Sequence, residues 1–137
     1  MDNLLIEFMG KTIVLDGYRI HDIPSFYEEV NRSFMSGEDW KLGHSLDALD
    51  DMLYGGYGSI RGNEPVRIYW KNFEQNERDL GVQATRQHYT QKLNHPDIFN
   101  VNLVKKQLEE LDNGTGKTYF GIILEIISHH TNIELVV

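Results

Sequence analysis

Three aspartates and a tyrosine within eight residues form the part of the sequence best suited to chemistry. Asp47, Asp50, Asp51 and Tyr54 lie in the stretch HSLDALDDMLYGG, residues 44–56, which contains no lysine or arginine. Like charges this close repel one another, so stability alone would favour spacing or pairing them. The cluster therefore raises the question of what these carboxylates do.

The same stretch predicts a short helix over residues 45–54. Ser45 is a good N-cap, and Gly55-Gly56 is a typical helix stop. At about 100° per residue, the spacing i, i+3, i+4 and i+7 places the three aspartates and the tyrosine together. We call these four side chains the acidic face. The leucines of the helix cluster on another side and are expected to be buried: Leu46, Leu49 and Leu53.

The spacing alone leaves four interpretations of the acidic face open. It is typical of a solvated helix surface, and its first carboxylate also gains from the helix dipole. A divalent metal site needs ligands from other elements, and no Glu-x-x-His motif accompanies it. Acid–base catalysis needs a cleft that separates the carboxyl pKa values. A surface for a basic partner would use the close carboxylates in charge-assisted hydrogen bonds to Arg and Lys.

Composition narrows the class of protein. The 137 residues suit a single domain, and the absence of cysteine excludes disulfides and cysteine-based sites. The 13 basic and 21 acidic residues give a net charge of -8 and no basic patch for nucleic acid. A charged partner should therefore be basic. No apolar run reaches the length of a membrane span, and no signal peptide is evident, so we expect a cytoplasmic protein.

Alternating strands and helices predict the architecture. KTIVLDG (11–17), PVRIYW (65–70) and the terminal NIELVV (132–137) are typical of strands, and LLIEF (4–8) is either another strand or an extension. Strands separated by helices imply crossover connections and a three-stranded parallel sheet in an α/β domain. Besides the acidic helix, helices are expected within 23–37, 71–81, 84–93, 100–114 and 117–130.

GHSLDALDDMLYGG, residues 43–56, resembles the signature helix of the barstar family, the intracellular inhibitors of barnase-type ribonucleases. Residues 11–30, KTIVLDGYRIHDIPSFYEEV, resemble the family's first strand, turn and helix. PVRIYWKNFEQ, at 65–75, resembles its second strand and the segment that follows. FGIILEIISHHTNIELVV, at 120–137, resembles its last helix and terminal strand. The resemblance covers roughly residues 11–80 and 118–137, and it implies the same three-stranded fold.

The resemblance also implies a function, in which the helix and its preceding loop block the active site of a toxic ribonuclease. The aspartates would replace substrate phosphates against active-site cations. Asp51 matches the family aspartate that enters the cleft most deeply, and Asp47 matches the other. Gly43 matches a loop glycine that allows close approach, and Tyr54 occupies a contact position. Glu125 matches an acidic contact on the last helix.

Several positions depart from the family pattern. Asp50 stands where the family has a tryptophan, and Lys41 stands where it has an aromatic. Within the single domain 1–137, residues 1–10 read as an N-terminal extension and roughly 81–117 as an insertion. We therefore predict a basic nuclease other than barnase as the partner, bound one to one by a monomer, with no cofactor, metal, nucleic acid or membrane. The alternatives are a metal-dependent hydrolase that uses the three aspartates, or a module that binds another basic protein.

Two further features predict no chemistry. DNGTGKT, residues 112–118, resembles a phosphate-binding loop, but Leu111 stands where that motif requires a glycine. It is better explained as a helix stop. The histidines are either isolated or adjacent in the chain, as His129 and His130 are, and we expect structural or surface roles for them.

Overall fold

The computed structural model of the protein describes residues 10–137, so the segment predicted at 4–8 lies outside the described residues. Three strands form one sheet in the order β1-β2-β3: β1 is Lys11–Asp16, β2 is Val66–Lys71 and β3 is Ile133–Val136. Both pairings are parallel, with Ile68 of β2 opposite Ile13 of β1 and Leu135 of β3. The predicted three-stranded parallel sheet is confirmed.

Six α-helices connect or flank these strands in the described part of the chain, each close to a predicted position. They are α1 (Ile23–Phe34), α2 (Leu46–Leu53), α3 (Phe73–Asp79), α4 (Val82–Lys92), α5 (Val101–Asp112) and α6 (Tyr119–His129). Helix α1 ends three residues before Gly37, the residue expected to stop it. The Phe34 carbonyl accepts a hydrogen bond from the Ser59 N–H at 2.7 Å, which ties the end of α1 to the segment after α2.

The core lies between one face of the sheet and helices α1, α2 and α6. Fully burying one large apolar side chain in this core stabilises the fold by roughly 1.5–3 kcal/mol. The core thus holds α2 by its apolar side, with its polar side directed away from the core. The sheet contributes Ile13, Leu15, Val66, Ile68 and Trp70, and the helices contribute Phe26, Val30, Phe34, Leu49, Met52, Leu53, Phe120, Ile123 and Ile127.

Helices α4 and α5 pack as a pair around a second, smaller cluster. Tyr89 of α4 is buried there against Val104 and Leu111 of α5. The pair is tied to the main core by the Tyr119 N–H, which donates to Thr85 Oγ1 at 2.7 Å in a buried hydrogen bond. Most of the stretch predicted to be an insertion, roughly 81–117, is therefore helical and attached to α6.

None of the helices described has the length and apolar character needed to cross a bilayer.

Candidate functional site

Helix α2 presents most of the acidic face to solvent because its other side is buried. Ser45 caps it as predicted, with Oγ accepting from the Ala48 N–H at 3.0 Å. Asp47 and Asp51 are exposed, and Tyr54, at the C-cap, is 68% exposed. The buried side differs from the prediction in one member: Met52 is buried, whereas Leu46 is only partly buried. The predicted separation into an apolar and a polar side is otherwise present.

Asp50 is hydrogen-bonded to a buried side chain of another element. Its Oδ1 lies 2.7 Å from Nε2 of His130, and the His130 side chain is 4% exposed. The Tyr54 ring meets the His130 ring edge-on, with centroids 4.6 Å apart. Asp50 therefore joins α2 to the residue that caps the end of α6, a contact that the sequence did not reveal.

The loop before α2, residues 35–45, is held in place by one side chain of α1. Asn31 Oδ1 accepts from the Leu42 N–H at 2.6 Å, and Asn31 Nδ2 donates to the Leu42 carbonyl at 3.2 Å. The Leu42 side chain is buried beneath this clamp. Earlier in the loop, Glu38 Oε2 accepts a hydrogen bond from the Gly58 N–H at 2.7 Å. We call residues 35–45 the α2 loop. These hydrogen bonds fix its backbone before any partner binds.

Lys41 and Gly43 lie on the exposed side of the α2 loop, on either side of buried Leu42. A Cβ atom added to Gly43 would meet nothing within 4 Å in the described structure, and its φ lies outside the left-handed region. Neither packing nor backbone conformation within residues 10–137 therefore requires glycine at this position.

Two aromatic contacts lie beside the acidic face and the α2 loop, and neither of them was predicted from the sequence. Trp40 of the α2 loop is 44% exposed and meets Tyr57 with centroids 4.8 Å apart and an interplanar angle of 61°. Partial burial and the negative charge of Asp51 raise the pKa of Tyr57, so this phenol lies within the field of that carboxylate. The His44 ring lies almost parallel to the ring of fully buried Tyr27, 5.1 Å away.

Glu125 of α6 forms an ion pair with Lys117, which lies just before the start of that helix. Its carboxylate bonds to Lys117 Nζ, and this hydrogen bond lowers the pKa of Glu125. The helix that carries it, α6, contacts α2, and the Asp50–His130 bond lies at its C-terminal end. The Glu125 side chain is held by Lys117.

Residues 10–137 contain no group of three or more His, Asp or Glu side chains arranged to hold a metal ion. The three aspartates of α2 do not form such a group, because Asp50 is directed to His130 while Asp47 and Asp51 are exposed. The geometry of this part of the chain gives the metal-dependent alternative no support.

A family model described as barstar (barnase inhibitor) matches residues 10–90, more than half of the chain. The match includes β1, α1, the α2 loop, α2, β2 and α3, and it reaches into α4. No curated protein and no solved structure matches the chain.

Proposed function

The chain belongs to the barstar family of barnase inhibitors, and on this premise we propose that it inhibits a toxic ribonuclease of the barnase type. In this proposal α2 and the α2 loop cover the nuclease active site. The complex contains one copy of each protein, and the inhibitor protects the cytoplasm of the cell that makes the toxin. Its role is that of an immunity protein, which binds a basic nuclease and performs no catalysis itself.

The observation that carries the proposal is the outward presentation of Asp47, Asp51 and Tyr54 on a helix whose opposite side is buried. A ribonuclease binds the phosphates of its substrate with cationic side chains. Carboxylates fixed on a rigid helix can replace those phosphates and form charge-assisted hydrogen bonds to arginine and lysine. Because the core already fixes the helix, binding costs little further ordering of the inhibitor.

The α2 loop supports the same proposal. Gly43 has no internal requirement for glycine, which fits a position where a partner's backbone or side chain approaches closely. Lys41 beside it would favour an acid at the rim of the partner. Trp40 adds exposed aromatic area next to Tyr57 and Asp51, and aromatic side chains are enriched among the residues that dominate interface energies.

Asp50 and Glu125 have different roles in this proposal. Asp50 is a positioning residue, because its bond to His130 fixes the middle of α2 against α6. Its carboxylate is 38% exposed, so its outer oxygen also contributes negative potential to the acidic face. Glu125 contributes at the periphery, where a nuclease cation would compete with Lys117 for its carboxylate.

The test compares Asp51→Ala with Asp97→Ala, which removes the same charge from an exposed position between α4 and α5. The measured quantity is the Kd for the ribonuclease that the wild-type chain inhibits most strongly in a barnase-type panel. Asp51→Ala should weaken binding at least about thirtyfold, because truncating a central charged contact costs about 2 kcal/mol or more. Asp97→Ala should bind within about twofold of wild type. Equal Kd values for the two variants would refute the assignment.

A further inference from the structure

A groove of about 330 Å³ separates helix α4 from the α2 loop. The α2 loop supplies one wall through His44, and α4 supplies the other. Residues at the start of α1 complete the lining. The residues that line the groove are Asp22, Ile23, Pro24, His44, Ala84, Gln87, His88 and Gln91.

The groove is continuous with the acidic face through His44. One side of the His44 ring lies on Tyr27, which is 0% exposed, while the residue as a whole is exposed. His44 is followed directly by Ser45, which caps α2. A partner that covers α2 and the α2 loop therefore reaches the groove without crossing another element of the fold.

Both walls of the groove are anchored to the same buried pair of tyrosines. The Tyr27 hydroxyl, beneath His44, is hydrogen-bonded to the Tyr119 hydroxyl. The Tyr119 N–H donates to Thr85 Oγ1 of α4 at 2.7 Å. The groove is consequently preformed, and a ligand would not have to order it first.

The chemistry of the groove suits a polar or basic protein segment. Gln87 and Gln91 provide amide donors and acceptors along α4, and Asp22 provides a carboxylate. Burial, and to a smaller extent the positive charge of Lys92, lower the pKa of His88, which favours its neutral imidazole. Asp22 carries the one carboxylate among the residues that line the groove, no lysine or arginine lies among them, and its negative charge is complementary to a basic segment of a nuclease.

We propose that this groove is a second contact surface of the inhibitor and receives a basic loop of the same ribonuclease that α2 covers. The inference rests on the proposed function and extends it to α4. It gives α4 a role, because this helix adds contact area beside the α2 loop. We name a basic loop of the nuclease as the occupant for two reasons. The groove is continuous with the acidic face, and the carboxylate that lines it is negatively charged.

The test uses the full-length chain and the barnase-type ribonuclease that wild type inhibits most strongly. Ala84→Arg places a long cationic side chain in the groove. Thr90→Arg is the matched control, because Thr90 is exposed on the same helix and does not line the groove. Ala84→Arg should raise Kd at least about tenfold, whereas Thr90→Arg should change it by less than about threefold. Thermal unfolding of both variants should match that of wild type.

If Ala84→Arg lowers the unfolding temperature, Gln87→Arg replaces it, because Gln87 is an exposed residue that also lines the groove. Groove variants that bind like Thr90→Arg while Asp51→Ala binds weakly overturn this inference and leave the proposed function intact. If the groove variants raise Kd and Asp51→Ala does not, the groove is supported as a contact surface. The proposed role of the acidic face in binding is then refuted. A wild-type chain that inhibits no ribonuclease in the panel overturns both.

Discussion

Asp50 and His130 lie 80 positions apart in the chain and meet through a 2.7 Å contact between Oδ1 and Nε2. The histidine is 6% exposed, and the ring of Tyr54 covers one side of it. A buried polar ring requires a hydrogen-bond partner, and the aspartate supplies one. The carboxylate of Asp50 thus has a structural role within the folded chain that does not depend on a binding partner.

Asp50→Ala should accordingly reduce stability, because it leaves the buried His130 nitrogen without its partner. An unsatisfied buried polar group costs about 1–3 kcal/mol, and urea unfolding monitored by circular dichroism would measure the loss. Asp51→Ala is the matched control on the same helix, and it should change the free energy of unfolding by less than about 0.5 kcal/mol, since Asp51 is exposed. Equal stability of the two variants would show that the Asp50–His130 contact contributes nothing.

Much of the architecture was predictable because it depends on local signals. The alternation of Val66, Ile68 and Trp70 predicted the buried face of β2, and all three are buried. The Ser45 cap and the glycines after Tyr54 predicted the bounds of α2 to within a residue or two. Such signals act over a few positions, where propensity, capping and side-chain period agree.

The details of the site were not predictable because they depend on contacts between distant parts of the chain. Helical phasing grouped Asp50 with Asp47 and Asp51, but it could not show that Asp50 is directed to His130. The position of Trp40 over Tyr57 depends on how the chain turns before and after α2. Phasing also included Leu46 in the buried side, whereas packing against the core buries Met52 more fully.

The clamp by Asn31 leads to a prediction about the α2 loop. Asn31→Ala removes both hydrogen bonds to Leu42, so the loop should become less ordered while the sheet and the other helices persist. Hydrogen exchange should be faster at the Leu42 amide and unchanged in β2. Inhibition of the ribonuclease should weaken, because the partner would then have to order the loop on binding.

The control for this clamp is Asn102→Ala, on the exposed side of α5. It should leave both the Leu42 exchange rate and the inhibition unchanged. Wild-type protection of the Leu42 amide in Asn31→Ala would mean that burial of the leucine side chain, and not the clamp, fixes the loop.

Electrostatic steering should make association sensitive to salt. The chain carries a net charge of -8, and Asp47 and Asp51 are exposed on the surface proposed to meet a basic nuclease. The Debye length falls from about 10 Å at 0.1 M salt to about 3 Å at 1 M. The association rate constant should therefore fall at least about tenfold over this range, while the dissociation rate constant changes less.

Asp47→Lys tests whether the acidic face is the source of this steering. It should slow association and flatten the salt dependence more than Asp97→Lys, which makes the same charge change at the exposed turn between α4 and α5. Stopped-flow fluorescence at several ionic strengths would give both slopes. Identical slopes would indicate that net charge alone, and not the acidic face, steers the encounter.

The start of α1 gives a prediction about acid stability. Asp22 caps this helix in a reciprocal capping box with Ser25, and hydrogen bonds from the Ser25 side chain and backbone lower the pKa of Asp22. A lowered pKa in the folded state means that the stabilisation is complete above the ordinary aspartate pKa of about 3.9 and disappears as pH falls through the folded value.

Asp22→Asn keeps a capping oxygen but cannot titrate, so its stability at pH 7 should lie within about 0.5 kcal/mol of wild type. Between pH 5 and pH 2.5 it should lose less stability than wild type, as urea unfolding at each pH would measure. Asp22→Ala should be less stable by about 1 kcal/mol at pH 7. Parallel stability curves for wild type and Asp22→Asn would show that other carboxyl groups account for the acid sensitivity.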